Sequence, residues 1–486
     1  MSVRRKKKRS SFSVKRWKGH RYQNRCVSLG MDKPHFAFFL DPGLGKTTII
    51  LQILKMLLLS GDVKAMLVVA PLRPCYMVWP KEVKKWANFC HLSVGILHGN
   101  NKAKVLGEKH DIYVINPEGL PWLITQLKGH KKKDWPFNML TVDESTKFKN
   151  LTSGRTKNIK KMLAGFDRRY ILTGTPTPNG LLNIQSQIMI CDGGKALGTT
   201  KTGYHEKYFR PVGKPEWRQF ELQSKKSADE IYECIAHLCV RLSADKNLKG
   251  LPKKIDNLIE IDLPPKARKI YKQLEKELFT ELENGEAITA LSASAKRIKC
   301  VQLANGCVYE DIDPTEDVAP KDRKVFKIHE AKLDALQDLC EELDGKPILI
   351  AYWFKHDLDA LKKRFGSKLK VLGSNMAECV QIEKDWNAGK IEMLAAQPSS
   401  AALGLNLQDC GSDIFWYSMI DDWEAYDQYI KRILRQGNKN KSVRNHVCIA
   451  KGTLDQYMYN RLQEKEGEQV NFFNGVLGFL NKLLVK

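Results

Sequence analysis

The chain has 486 residues, room for roughly three domain-sized units, and its 43 % hydrophobic and 28 % charged content excludes both wholesale disorder and a membrane-embedded class. Lys and Arg outnumber Asp and Glu by 80 to 55, and the net charge of +25 points to a polyanion as partner, nucleic acid first. Eleven of the cations precede the first acid, Asp32, and the rest of the chain still carries +14. That first run reads either as a solvated tail or as one that touches phosphates. Twelve cysteines are scattered without a Cys-x-x-Cys pair, so they read as reduced core residues and a zinc site is not expected. No apolar h-region follows the basic start, and the stretch Ile49 to Leu59 is too short to span a bilayer. An intracellular protein without a membrane partner is expected.

In chain order, Phe38 to Leu40 is predicted as a strand running into Asp41-Pro42-Gly43-Leu44-Gly45-Lys46-Thr47, a glycine turn that opens a helix. This is a phosphate loop. Gly43 and Gly45 let backbone N–H groups approach phosphate oxygens, Lys46 reaches the β and γ phosphates, and Thr47 offers its hydroxyl to Mg²⁺. Leu40 stands where the generic pattern has its first glycine. The runs Met66 to Ala70, Ile112 to Ile115, Met139 to Val142 and Tyr170 to Thr173 are predicted as buried parallel strands between helices. The third of these ends in Asp143-Glu144, one carboxylate to hold Mg²⁺ and one to take a proton from the attacking water. Lys131, Lys132 and Lys133, just before it, read as a solvated loop.

From about 190 to 330 the pattern changes. Cys191-Asp192-Gly193-Gly194 marks a loop, Ala267 to Glu283 a charged helix between Pro264-Pro265 and Asn284-Gly285, and residues 311–322 an exposed loop, with no strand expected. Ile348 to Tyr352, Val371 to Leu372, Met393 to Ala396, Ile414 to Tyr417 and Val447 to Ala450 supply a second parallel sheet. Gln428, Arg432 and Arg435, spaced four and three apart, are expected on one helix face. Phe472 to Val485 is apolar enough to dock on a lobe. The fold expected is α/β, two doubly wound parallel-sheet lobes with a helical insertion between them. The boundaries are a tail at 1–19, lobes at 20–190 and 329–486, and the insertion and linker at 191–328.

Further segments fall in a telling order: His20-Arg21-Tyr22-Gln23 before the phosphate loop; Val68-Val69-Ala70-Pro71-Leu72-Arg73 with Trp79, Glu82 and Trp86; Asn116-Pro117-Glu118; and Thr173-Gly174-Thr175-Pro176. The second half adds Gly404-Leu405-Asn406-Leu407-Gln408 and Gln428-x-x-x-Arg432-x-x-Arg435-Gln436-Gly437. Over about residues 20 to 460 the chain resembles the Swi/Snf-type ATPases of helicase superfamily two, in particular their compact phage-like members. The resemblance implies two RecA-like lobes with ATP and Mg²⁺ between them. It implies that Gln23 reads adenine, that Gly43, Gly45, Lys46, Thr47, Thr48 and Gly404 bind the nucleotide, and that Thr47 and Asp143 hold the metal. Lys46, Asp143, Glu144, Gln428, Arg432 and Arg435 carry catalysis, the two arginines as fingers on the γ-phosphate. Arg73, His98 and Asn406 lie in segments that resemble strand-contacting motifs, although His98 also reads as a polar residue at a strand end. Trp17, Trp79, Trp86 and Trp423 would stack bases or pack in the core, and core packing is the better reading of each.

Departures from the family pattern are Ser145-Thr146 after the two acids, which alters the link to the Thr173 segment, Ala401 and Ala402 where glycines are common, and Pro42. The function implied is an ATP-driven translocase on nucleic acid, with duplex DNA resting on the resemblance alone. The alternatives are a strand-separating helicase on single-stranded DNA or RNA, and a binding scaffold with little turnover. Intact Lys46, Asp143, Glu144 and Arg435 argue against the scaffold. The likeness to phage members implies a viral or mobile-element role, in the host cytoplasm.

Overall fold

The computed structural model of the chain describes residues 15–178, 180–212, 219–284, 290–310, 323–373, 375–401 and 405–468. The basic run before residue 15, the predicted loop at 311–322, Ala402, Gly404 and the apolar stretch Phe472 to Val485 lie outside the described residues. The described residues divide into two compact units, one built from residues 15–176 and Leu182–Leu242, the other from Thr177–Leu181 and residues 243–468.

The first unit contains β1 (His35–Leu40), β2 (Met66–Val69), β3 (Val94–Ile96), β4 (Ile112–Ile115), β5 (Met139–Asp143), β6 (Arg168–Thr173), the pair β7 (Phe209–Val212) and β8 (Gln219–Leu222), and β9 (Cys239–Leu242). Seven of these form one sheet in the order β3-β4-β2-β5-β6-β1-β9, every neighbouring pair parallel. All residues of β2, β4 and β5 are buried. Helices cover such a sheet on both faces, which is why its strands read as unbroken apolar runs. The helix Lys46–Ser60 packs Ile49, Ile50, Ile53, Leu54 and Leu57 inward and stops at Gly61, whose φ of 78° closes the last turn. With β5, β6 and β1 side by side, the loops leaving their carboxyl ends are neighbours, the position where open α/β sheets bind ligands.

The second unit adds β10 (Lys253–Ile261), the hairpin β11 (Cys307–Tyr309) and β12 (Val325–Lys327), β13 (Ile348–Ala351), β14 (Leu369–Val371), β15 (Met393–Ala396), β16 (Asp413–Trp416) and β17 (Ser442–Ala450). Its six-stranded sheet runs β10-β17-β16-β13-β15-β14, again all parallel. Leu333, Leu336, Leu339 and Leu343, one face of the helix Ala331–Leu343, pack on Ile350, Phe415 and Tyr417. The predicted charged helix is Pro265–Asn284, and it packs Ala267 and Tyr271 against Cys300, Leu303 and Ala304 of the helix Ala290–Asn305.

The expectation that residues 191–328 lack strands is corrected: β7 to β12 all lie there. β9 pairs with β1 from Ala37–Cys239 to Leu40–Leu242, and β10 pairs with β17 through nine registers. Both are edge strands. β9 carries Arg241 in its middle, and β10 reads Lys-Lys-Ile-Asp-Asn-Leu-Ile-Glu-Ile because much of it faces solvent. Neither offers the unbroken apolar run by which a buried strand is recognised.

Candidate nucleotide site

β1 is buried from Phe36 onward, and the chain leaves it through Asp41 and Pro42 into the loop. Gly43 and Gly45 have φ of 89° and 77°, left-handed values that a glycine takes at no cost. A Cβ on Gly45 would also stand 2.5 Å from Gln23 Nε2 and 2.8 Å from Thr48 Oγ1. Leu44 is fully buried and pins the loop. Gln23 Nε2 donates to the Leu44 carbonyl at 3.0 Å, and Gln23 Oε1 accepts from His20 N at 2.9 Å. The residue expected to read adenine thus braces the phosphate loop. Thr47 is half-buried at the helix start, whereas Thr48 is buried and donates to Gly45 O at 2.8 Å. Lys46 Nζ donates to Leu40 O at 2.8 Å. The first N–H groups of the helix Lys46–Ser60 have no intrahelical acceptor and form with the glycines an anion-receptive end.

Asp143 ends β5 and is buried. Burial pushes its carboxyl above the ordinary range, opposed by the nearby Lys46 ammonium, the Trp79 indole and the Glu144 amide. Trp79 Nε1 donates to Oδ2 at 3.1 Å and Glu144 N to Oδ1 at 3.1 Å, so each oxygen accepts one bond and keeps capacity for a cation. Glu144 is half-buried and has φ 52° and ψ 58°, a left-handed conformation that a glutamate adopts at a cost of about 1–3 kcal/mol.

Ser145 Oγ donates to Gln187 Oε1 at 2.7 Å, and Gln187 Nε2 donates to Pro176 O at 2.6 Å and to Asn183 O at 3.0 Å. The altered residues after the acids therefore reach the Thr173–Pro176 segment through a third side chain. Thr175 N donates to Thr173 Oγ1 at 3.1 Å. A Cβ on Gly174 would meet Pro42 Cδ at 2.9 Å, so glycine there lets this segment lie against the phosphate loop.

In the second unit, Gln428 is buried on the helix Trp423–Ile430 and donates to Glu424 Oε1 at 3.3 Å. The expectation that Gln428, Arg432 and Arg435 share one helix face is corrected, because the helix stops at Ile430. Asn438 Nδ2 donates to Ile433 O and Gly411 O, both at 3.0 Å, and this draws the chain after Ile430 into turns. Arg432 is buried and donates to Leu405 O at 3.1 Å. Arg435 donates through Nε to Lys431 O at 2.6 Å and through Nη1 to Asn406 Oδ1. The structure thus joins Asn406, expected on the nucleic-acid strand, to Arg435.

Of the other residues expected on the strand, Arg73 lies half-buried on the short helix Leu72–Met77. Tyr76, on that helix, shares a 2.8 Å hydrogen bond with exposed His98. His98, Asn116 and Glu118 line one cavity of about 550 Å³. Trp17, Trp79 and Trp423 are buried, as core packing requires. Trp86 is half-buried, with Nε1 on Glu82 Oε2 at 2.9 Å and Lys85 over its ring.

The SNF2-related domain matches residues 16–307, more than half of the chain. The chain belongs to the SNF2-related family. It is 35 % identical over 471 residues to the protein p41 of Acyrthosiphon pisum secondary endosymbiont phage 1, covering 92 % of this chain and 96 % of p41. It is 23 % identical over 463 residues to the uncharacterised ATP-dependent helicase MG018 of Mycoplasma genitalium, covering 90 % of this chain and 40 % of that one. It is 24 % identical over 476 residues to the DNA repair and recombination protein RAD54B of Gallus gallus, covering 88 % of this chain. The SNF2-related chain spans nearly all of p41 but only half the length of RAD54B. Two residues of the candidate site have contacts that the motifs do not indicate. Trp79 looks like core until its indole is seen on Asp143. Gln187 gives one signal, a glutamine in the helix Ile184–Asp192, whose every residue is buried.

Proposed function

We propose that this SNF2-related protein is an ATP-hydrolysing motor that moves on nucleic acid, with duplex DNA as its track, in the cytoplasm of the host cell. The observation that carries the reading is the convergence of three loops at the carboxyl ends of adjacent strands. The glycine loop follows β1, the Asp143–Glu144 pair ends β5, and the Thr173 segment follows β6, with Trp79, Gln187 and Gly174 tying them together. Such a site suits a triphosphate: backbone N–H groups and Lys46 take its oxygens, and Glu144 takes a proton from water. Thr47 and Asp143 are hard oxygen donors that fit Mg²⁺, which would neutralise charge on the phosphates. Arg432, Arg435 and Gln428 would act on the γ-phosphate as charge builds in the transition state. DNA as the track is supported by relatives whose names place them in DNA repair and DNA binding, RAD54B among them, and the duplex form rests on the family resemblance.

Steady-state ATPase activity of the purified chain, measured alone and with duplex DNA, single-stranded DNA or RNA, tests the proposal. Turnover stimulated by duplex DNA and abolished by Glu144→Gln is expected. Preference for a single strand or RNA would replace the track, and absence of mutant-sensitive turnover would replace the motor.

A further inference from the structure

A loop built to receive a triphosphate is flanked by an acid. Asp41 stands two residues before Gly43, is buried, and at neutral pH would oppose an incoming polyanion through a low-dielectric surround. Its carboxylate is met by Arg241, whose Nη2 donates to Asp41 Oδ1 at 2.7 Å with the two side chains 5 % and 11 % exposed. Arg241 Nη1 donates to Phe39 O at 3.1 Å and to Leu242 O at 2.9 Å, and Asp41 N donates to Leu242 O at 3.1 Å. Phe39 and Asp41 are thus held by Arg241, and Leu40 between them by Lys46 of the loop itself.

Resting on the nucleotide-site reading, we propose that Arg241 is a positioning residue for nucleotide binding, cancelling the Asp41 charge beside the phosphate loop. It reaches the loop from β9, a strand distant in sequence, and the chain passes to the second compact unit immediately after Leu242. A guanidinium suits this role because its fork bonds a carboxylate and two carbonyls at once and stays charged at any working pH. Loss of the cation leaves a buried carboxylate next to the incoming phosphates.

The test is the Kd of Mg·ADP for the full chain by calorimetry, in wild type, Arg241→Met, Arg241→Lys, and Arg241→Met combined with Asp41→Asn. Arg241→Met is expected to weaken binding at least tenfold, while Arg241→Lys and the double variant stay within about threefold of wild type. Breaking one member of a buried pair can prevent folding. In that event Arg241→Gln, which removes the charge but leaves a polar amide on β9, takes its place with the same expectation. Wild-type affinity in the single variant, or a double variant no tighter than the single, would overturn the inference. No binding by wild type would overturn the nucleotide-site reading itself.

Discussion

Asp143 is held between two demands. The proposed role on a cation needs it ionised, yet burial favours its neutral form, and Lys46, Trp79 and the Glu144 amide draw it back. A carboxyl whose folded-state pKa is raised binds its proton more tightly when folded, so stability is lost as pH rises through that pKa. At neutral pH without nucleotide the charge is a cost, and Asp143→Asn should raise the melting temperature by a few degrees while eliminating turnover, which melting curves and ATPase assays would check. Trp79→Phe removes a donor to the charged form. The carboxyl then rises further, and the acid limb of the pH–rate profile should move to higher pH with kcat reduced. An unmoved limb would mean that the indole only fills space. Lys46, Thr47, Asp143 and Glu144 were legible because their chemistry depends on residue type and local spacing. Trp79 was not, because a buried indole in sequence says nothing of what its N–H faces.

Between elements, the helix Ile184–Asp192 is tied to two loops by a single amide. Gln187→Leu would leave the Ser145 hydroxyl and the Pro176 and Asn183 carbonyls without that partner, at a cost of about 1–3 kcal/mol in chemical denaturation. In the other sheet, Asp413 opens β16 with partners on β17. Its burial would raise the carboxyl, but bonds from His446, Arg444 and Ser412 outweigh this and hold it at about 2. A depressed carboxyl gives stability above its unfolded pKa and loses it as pH falls through the folded value. Asp413→Asn should therefore destabilise the second unit by about 2 kcal/mol at pH 7 and by little near pH 2, read from denaturation at both pH values. The central strands of both sheets were legible as apolar runs, since both of their faces are covered. β10 was not, since its solvent-facing edge admits charge, nor β9, whose buried Arg241 is explained only by a partner 200 residues away, and the turns after Ile430, bonded by Asn438, follow no periodicity.

For the whole molecule, charge and division into units make separate predictions. If the nine cations of residues 1–18 bind phosphates, a chain lacking those residues should show a flatter dependence of log K on log salt, by about 0.9 for each phosphate of duplex DNA that the tail had neutralised. An unchanged slope would mean a solvated tail. Two compact units, of which the first carries the phosphate loop, should respond unequally to ligand. Saturating Mg·ADP should raise the unfolding transition of the first unit by mass action, which residue-level hydrogen exchange would resolve.

β1 and Arg241 are written some two hundred residues apart, the separation being 200 from Asp41 to Arg241. During synthesis six of the seven strands of the first sheet are available before β9 emerges, and domains form as units while the chain lengthens. A nascent chain stalled short of residue 241 would hold a shaped phosphate loop beside an acid with no guanidinium to meet it. If Arg241 serves nucleotide binding as proposed, the phosphate loop would reach full affinity only once β9 has joined the sheet.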